Sequence, residues 1–385
     1  MAGVHNYSNR DSKNFIASFL FAFLLFVIIL ISNNAQADTT PAQEPVSVTD
    51  ITGREVTLPG PAKRILIDDA RYILALSLMT DDPVSLIAAW PHDVHRIGDA
   101  TYEAYRKRFP DIANKTRIAG SAESLSIEQI LDVAPDVAIF REGLGPTPDQ
   151  VRQLESAGIK VVFIDFFSQP LQNLEKSLAI LGKLIGAEER TQAFIDFRNA
   201  HLKRITDRIE ATPDLKRPRV FLEVHAGLTE CCNAPGKGNI GNYVDLVGGH
   251  NIAADVLPSA IGRLGVETII DSDPEIYIAT GGPQTAKAGG FVIGPQFTTE
   301  EARASLARMA ARPGIASLEP VERGEVHGLA HQLLNSPVDI LVTERLASWI
   351  HPELFADIDP DATLTELNDR FLAVPLAGSN WIDLR

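Results

Sequence analysis

The sequence predicts an α/β protein built as two parallel-sheet lobes joined by one long helix. Three observations carry this. A unit occurs twice, at Ile127–Phe140 and Val266–Ala279. In each copy an aliphatic residue precedes a Glu (Glu128, Glu267) and two adjacent aliphatics follow. Then come an Asp, a Pro seven positions after the Glu, an acidic residue and an apolar run. That order spells a short helix, a turn and a strand buried on both faces. The two Glu lie 139 residues apart, about one domain's length. The second observation is that strand and helix signals alternate between Ile65 and Ile164, the signature of a parallel α/β lobe. The third is a stretch between the copies, Leu171 to Ile209, with almost no strand signal.

Element by element, Val46–Leu58 alternates apolar residues around Thr52-Gly53-Arg54 and reads as a hairpin. Ile65–Ile67 is a buried strand, leading through Asp68-Asp69-Ala70-Arg71 into a helix over Tyr72–Met79. Val84–Ala89 is the next strand, ending at Trp90-Pro91, and residues 92–117 are polar and irregular. Pro148–Ala157 is a helix and Val161–Ile164 a strand. Leu174, Leu178, Leu181 and Ile185 keep helical spacing. After Gly186, so do Phe194, Phe197, Ile205 and Ile209, giving a short helix and then one of about two dozen residues, roughly 35 Å long. Val220–Val224 opens the second lobe as a strand. A long Gly-rich loop, His225–Gly241, follows it, then a helix over Asn242–Leu246. Helices over Thr298–Ala310, Ile340–Ile350 and Thr363–Leu372 and a strand over Gly324–Leu329 close the chain. The expected organisation is a leader 1–37, an N-terminal lobe 38–170, a linking helical segment 171–211 and a C-terminal lobe 212–385.

Composition narrows the function. The chain has 385 residues, 45% hydrophobic and 22% charged, with net charge −15. This balance suits a soluble globular protein and argues against a nucleic-acid surface. Arg10 and Lys13 precede the uncharged run Phe15–Ile31, and Ala35-Gln36-Ala37 fits a small-x-small cleavage site. Together they are read as a secretory signal; the alternative is an uncleaved membrane anchor. No Cys lies near that site, which favours a soluble protein of a Gram-negative periplasm over a lipid-anchored one. The two cysteines are adjacent, Cys231-Cys232. They fit a vicinal disulfide, a pair of free thiols or a soft contact to a ligand. There is no G-x-S-x-G, P-loop or H-E-x-x-H, so no enzyme chemistry is indicated.

With these features in order, the sequence resembles the substrate-binding proteins of ABC importers for ferric siderophores, haem and vitamin B12, the class III periplasmic binding proteins. The resemblance rests on Val48–Val56, Pro61-Ala62-Lys63-Arg64-Ile65, the doubled Glu unit, the helix between lobes, and Leu346–Phe355. The tail Val326–Leu329 with Asn335-Ser336-Pro337 is closer to the iron-chelate branch. The resemblance implies a monomer that holds its ligand between the lobes and hands it to an ABC permease and its ATPase. It also implies that Glu128 and Glu267 dock against permease arginines. On residue grounds alone, each better fits a helix N-terminal acid favoured by the dipole; the repeat and the resemblance together favour docking. No cofactor is expected, since the iron chelate is cargo.

Ligand residues are expected at the C-terminal ends of strands, facing the cleft. In the first lobe these are Arg71, Tyr72, Trp90 and Arg141. Arginines pair with anionic chelates and aromatics cover apolar parts; Trp90 also fits core packing and Arg71 a surface cation. In the second lobe they are His225, Cys231, Cys232 and His331. Gly236–Gly241 matches G-x-G-x-x-G by letter, but too far from the strand to be a dinucleotide loop. His92 and His95, three apart, and His327 complete the histidines considered. No spacing of three or four metal ligands is recognisable, so no direct metal site is expected. Tyr72 or a His remains a candidate axial ligand for haem. A receptor for bare Zn²⁺ or Mn²⁺ and a secreted thiol redox enzyme are the alternatives.

Overall fold

A computed structural model describes residues 1–3, 44–92, 97–119, 124–334 and 336–385. The Arg10–Ala37 signal features, His95 and Asn335 lie outside the described residues. No helix among the described residues is long and apolar enough to cross a membrane.

Strands β1 (Val46–Thr49) and β2 (Glu55–Leu58) form the antiparallel hairpin. The buried Asp50 carboxylate pins it by accepting the N–H groups of Thr52, Arg54 and, across the fold, Phe163. The first lobe's sheet contains β3 (Ile65–Ile67), β4 (Ile87–Pro91), β5 (Thr116–Ile118), β6 (Val137–Arg141) and β7 (Lys160–Ile164) in spatial order β5-β4-β3-β6-β7, all parallel. Its first helices are α1 (Tyr72–Met79), α2 (Asp99–Arg108), α3 (Ile127–Val133) and α4 (Pro148–Ser156). Two sequence expectations fail here. The segment starting at Val84 begins as a short helix, Pro83–Leu86, because Asp82 caps the Ser85 N–H; the strand starts only at Ile87. Of the stretch 92–117, the described part from residue 97 on is not irregular. It holds α2, whose mostly polar sequence packs through the buried Tyr105, and the short edge strand β5.

The linking segment is α5 (Pro170–Ile185) and α6 (Glu188–Glu210). Gly186 ends α5 in the left-handed conformation (φ 70°), which a residue without Cβ adopts at little cost. The 23 residues of α6 span roughly 35 Å. Arg190 ties α6 to the first lobe through the Leu78 carbonyl and Asp81, and to the C-terminal region through the Phe371 carbonyl. Further along, Arg198 meets Asp339 in a buried bidentate pair, both bonds 2.7 Å, with the Tyr243 hydroxyl donating to the same carboxylate.

The second lobe's sheet is built from β8 (Arg219–Glu223), β10 (His250–Asn251), β12 (Ile276–Gly281), β13 (Val326–Ala330) and β14 (Trp381–Asp383), in order β10-β8-β12-β13-β14. All pairings are parallel except β13–β14, an antiparallel edge that sequence reading missed. Short strands β9 (Asn233–Ala234) and β11 (Gly262–Arg263) form a separate ladder. Its helices include α7 (Asn242–Leu246), α8 (Val266–Asp271), α9 (Thr299–Ala310), α10 (Asp339–Ile350) and α11 (Pro360–Arg370).

The doubled unit is a structural duplication as well. Helices α3 and α8 both end in a non-glycine residue at positive φ, Ala134 (45°) and Asp273 (43°), six positions after the respective Glu. Arg64 reaches the Val133 and Ala134 carbonyls; Arg219 reaches those of Ser272 and Asp273. The acidic residue after each Pro accepts backbone N–H groups at the start of the neighbouring strand: Asp136 from Lys63 and Arg64, Glu275 from Arg219.

Candidate functional site

In each sheet the chain builds outward from its first strand to one edge and then crosses to that strand's other side, so the strand order reverses there. This happens between β3 and β6 in the first lobe and between β8 and β12 in the second. Loops at such points diverge and leave a crevice. Asp68 to Arg71 follow β3, and Arg141 ends β6. His225 follows β8, Gln284 follows β12, and His331 and Gln332 follow β13.

These residues meet in one cavity of about 360 Å³, walled by Arg71, Arg141, Leu144 and Phe167 from the first lobe and by His225, Ile261, Gln284, His331 and Gln332 from the second. That volume is in the small-molecule range. Two acids support the two arginines. Asp69 binds Arg71 bidentately, at 3.0 Å to Nε and 2.7 Å to Nη2. Asp68 accepts the Arg141 backbone N–H at 3.0 Å and lies 3.4 Å from its Nε. Both carboxylates are buried, while both guanidinium groups keep partial access to solvent. Burial pushes Asp68 up to about 7, although Arg141 opposes the shift. Burial also works against the Arg141 charge, but Asp68 and Asp69 reverse it and its pKa rises.

On the facing wall, the His225 and His331 rings lie 3.7 Å apart between centroids. Gln284 Nε2 is 2.9 Å from His225 Nδ1, and His331 Nδ1 is 3.0 Å from Thr280 Oγ1. Below, Asn239 joins the lobes by contacting the Phe167 and Ser168 carbonyls.

Of the expected ligand residues, Arg71, Arg141, His225 and His331 therefore converge. Four others do not line this cavity. Trp90 is fully buried, with the Arg117 guanidinium 4.6 Å from its ring centroid and the Tyr102 ring stacked at 6.1 Å. It sits on β4, and its side chain packs into the core. Tyr72 is buried edge-on against Phe166, and burial beside Asp68 and Asp69 raises its pKa, so it stands under the site. Cys231 and Cys232 are joined to each other. Cys232 is buried, held by backbone hydrogen bonds to Leu264, because the centre of the His225–Gly241 loop pairs with β11 instead of facing the cleft. Together with Glu223 they are three ligand-type residues in reach of one another. Glu223, however, is committed to Arg312 and the Tyr277 hydroxyl. His327 sits within β13, bound to Asp383 and stacked on Trp349. Sequence reading missed Gln284, Gln332, Phe167 and the acids Asp68 and Asp69; the double Asp directly after a buried strand was the signal for the last pair.

Glu128 and Glu267 occupy the first turns of α3 and α8, both exposed, with no ion pair among the described residues. One turn further on stand Leu131 and Ile270, 40% and 44% exposed, at the same register of the two copies. Large apolar side chains left that open are few among the described residues, so their matching positions are informative.

Comparison with known proteins agrees with this architecture. Residues 80–333 match the family described as Periplasmic binding protein. The crystal structure of a TroA-like periplasmic binding protein, FepB from Veillonella parvula, is 26% identical, with a TM-score of 0.79 over 88% of this chain and 100% of that one. A cobalamin-binding protein of Halobacterium salinarum is 25% identical over 264 residues, 67% of this chain and 68% of that protein. The uncharacterized ABC transporter substrate-binding lipoprotein YvrC of Bacillus subtilis is 22% identical over 317 residues, 81% and 88% of the two chains. Its two lobes on one long helix, the cavity between them and the match across two thirds of its length make this chain a member of the periplasmic binding protein family, the non-catalytic, substrate-capturing components of ABC importers.

Proposed function

We propose that the protein captures a ferric siderophore or a related anionic iron chelate and delivers it to an inner-membrane permease and its ATPase. The observation that carries this is the pair of acid-supported guanidinium groups, Arg71 and Arg141, facing two imidazoles across the cleft. Guanidinium groups held in a fixed fork suit carboxylate, catecholate or phosphate oxygens. A bare Zn²⁺ or Mn²⁺ receptor would need three or four converging donors. Among the described residues, the cavity wall holds two imidazoles and no carboxylate. A thiol redox role gains no support either, since the cysteine pair lies apart from the cleft.

The second reading is a corrinoid, favoured by the likeness to the Halobacterium protein. A thermal-shift screen of ferric catecholates, ferric hydroxamates, haem, cyanocobalamin, Zn²⁺ and Mn²⁺ separates these. A ligand present at 100 times its Kd adds about 2.7 kcal/mol to the native state. A shift of several degrees with a ferric chelate alone supports the proposal; a shift with cyanocobalamin or bare metal alone overturns it.

The docking reading places Glu128 with Leu131, and Glu267 with Ile270, against two permease subunits. Each patch joins one carboxylate for an arginine to one aliphatic side chain that a partner can cover. Two matching patches on two related lobes suit a two-subunit partner.

A further inference from the structure

Arg71 and Gln332 line a second cavity besides the cleft, of about 70 Å³. It too is made by both lobes. Leu74 of α1 and Ala100 and Ala104 of α2 come from the first, and Val374, Leu376 and Ala377 from the C-terminal segment after α11. Its wall is mostly apolar. Two of its polar side chains are engaged with protein groups: the Tyr105 hydroxyl with Ser77 Oγ at 2.6 Å, and Ser336 Oγ with the Leu333 carbonyl at 2.9 Å. Arg71, with a charged head on an apolar stem, suits the boundary between a polar and an apolar chamber. A space of this size holds about five waters, or a substituent of about four to six carbons.

We propose that this chamber is a subsite for an apolar arm of the ligand whose anionic part sits at Arg71 and Arg141. The ligand class is then an amphipathic anionic chelate bearing a short aliphatic or aromatic substituent. The inference rests on the anionic-chelate reading and adds to it. An apolar void forfeits dispersion contacts along its lining, and an apolar arm restores them while leaving water. Each methylene buried there strengthens binding roughly fourfold.

The test uses two synthetic probes: the ferric complex of a tripodal hexadentate tris(catecholate), bare or with one n-butyl group on one ring. Binding is followed by tryptophan fluorescence quenching. The butyl probe binds the wild-type protein at least tenfold tighter. Ala100→Leu and Ala104→Leu, two independent ways of filling the chamber, abolish that advantage and leave the bare probe within twofold. Thermal melting confirms which of the two is folded. Equal affinity of the two probes for the wild-type protein, or an advantage that survives in a folded filled variant, overturns the subsite and leaves the anionic-chelate reading standing. Failure of both probes to bind overturns that reading and the subsite with it.

Discussion

Arg71 and Arg141 converge on one carboxylate oxygen: Asp69 Oδ2 lies 2.7 Å from Arg71 Nη2 and 3.5 Å from Arg141 Nη1. The two cations are thereby held side by side, which their repulsion would otherwise oppose. Arg71→Gln is therefore predicted to weaken binding of an anionic ferric chelate by on the order of 10- to 100-fold, the range for losing charge-assisted hydrogen bonds. Asp69→Asn should weaken it too, although Asp69 is buried and makes no wall of the cavity, because both arginines lose their fixed position. Titration by fluorescence quenching checks both; unchanged affinity in Asp69→Asn would remove the positioning role.

Binding should depend on pH through Asp68. Burial pushes it up to about 7, and the charges facing it are Arg141 on β6, its neighbour Asp69, and the Tyr72 hydroxyl on α1. Below that pH the group is largely neutral and the arginines meet the ligand with more net positive charge. As pH rises from 6 to 8, Asp68 ionises, and affinity for an anion falls, by on the order of tenfold at most. The linkage to stability has the same sign. A carboxyl whose folded pKa is raised stabilises the fold fully below its unfolded value of 3.8 and loses that contribution as pH passes about 7. Asp68→Asn should flatten both profiles, which calorimetric titration and urea melts across this pH range will show.

Arg198 and Asp339 anchor α6 to the second lobe from inside the core, where their side chains are 7% and 0% exposed. Removing the cation alone strands a buried carboxylate with, among the described residues, the Tyr243 hydroxyl as its remaining side-chain donor. Arg198→Ala is predicted to lower stability by about 3–5 kcal/mol. Urea denaturation measures this, and a loss below about 1 kcal/mol would show that the pair is not the anchor it looks to be in the fold.

Glu128→Ala, Glu267→Ala, Leu131→Ser and Ile270→Ser are predicted to leave ligand affinity within about twofold and the fold intact, since surface changes usually cost under about 0.5 kcal/mol. Transport in reconstituted vesicles should fall for each, and most for Glu128 and Leu131 changed together. A drop in ligand affinity instead would move these residues from a docking surface to the cleft.

Much of this architecture could be read from residues. The doubled unit predicted both α3 and α8 to within a residue or two, because Pro135 and Pro274 punctuate them and because a strand buried on both faces has no polar residue to disguise it. The arginines were found because they sit where strands end. What stayed hidden was set by partners distant in sequence. Trp90 ends a strand just as Arg141 does, but Arg117 and Tyr102 close over it. Gln284 and Gln332 carry no local signal at all; the crossing of β12 and β13 beside β8 brings them to the cleft. Helix α2 has a charged, weakly periodic sequence, and its single buried Tyr105 is too little pattern to read. Arg64 and Arg219 lie outside the doubled unit in sequence, and only their hydrogen bonds to its helix ends make them part of the duplication.

The helix α6, fastened by Arg190 at one end and by Arg198 further along, has a kinetic consequence. Walls fixed to the same rod present Arg71 and Arg141 before any ligand arrives, so capture need not wait for a hinge to swing. The association rate is then governed by how a charged ligand approaches a molecule carrying −15 overall. An anionic ligand is repelled at long range and attracted only near the cleft mouth. Added salt, which screens beyond a Debye length of about 8 Å at physiological strength, should speed the encounter and weaken the grip, opposite effects on the two rate constants of one equilibrium.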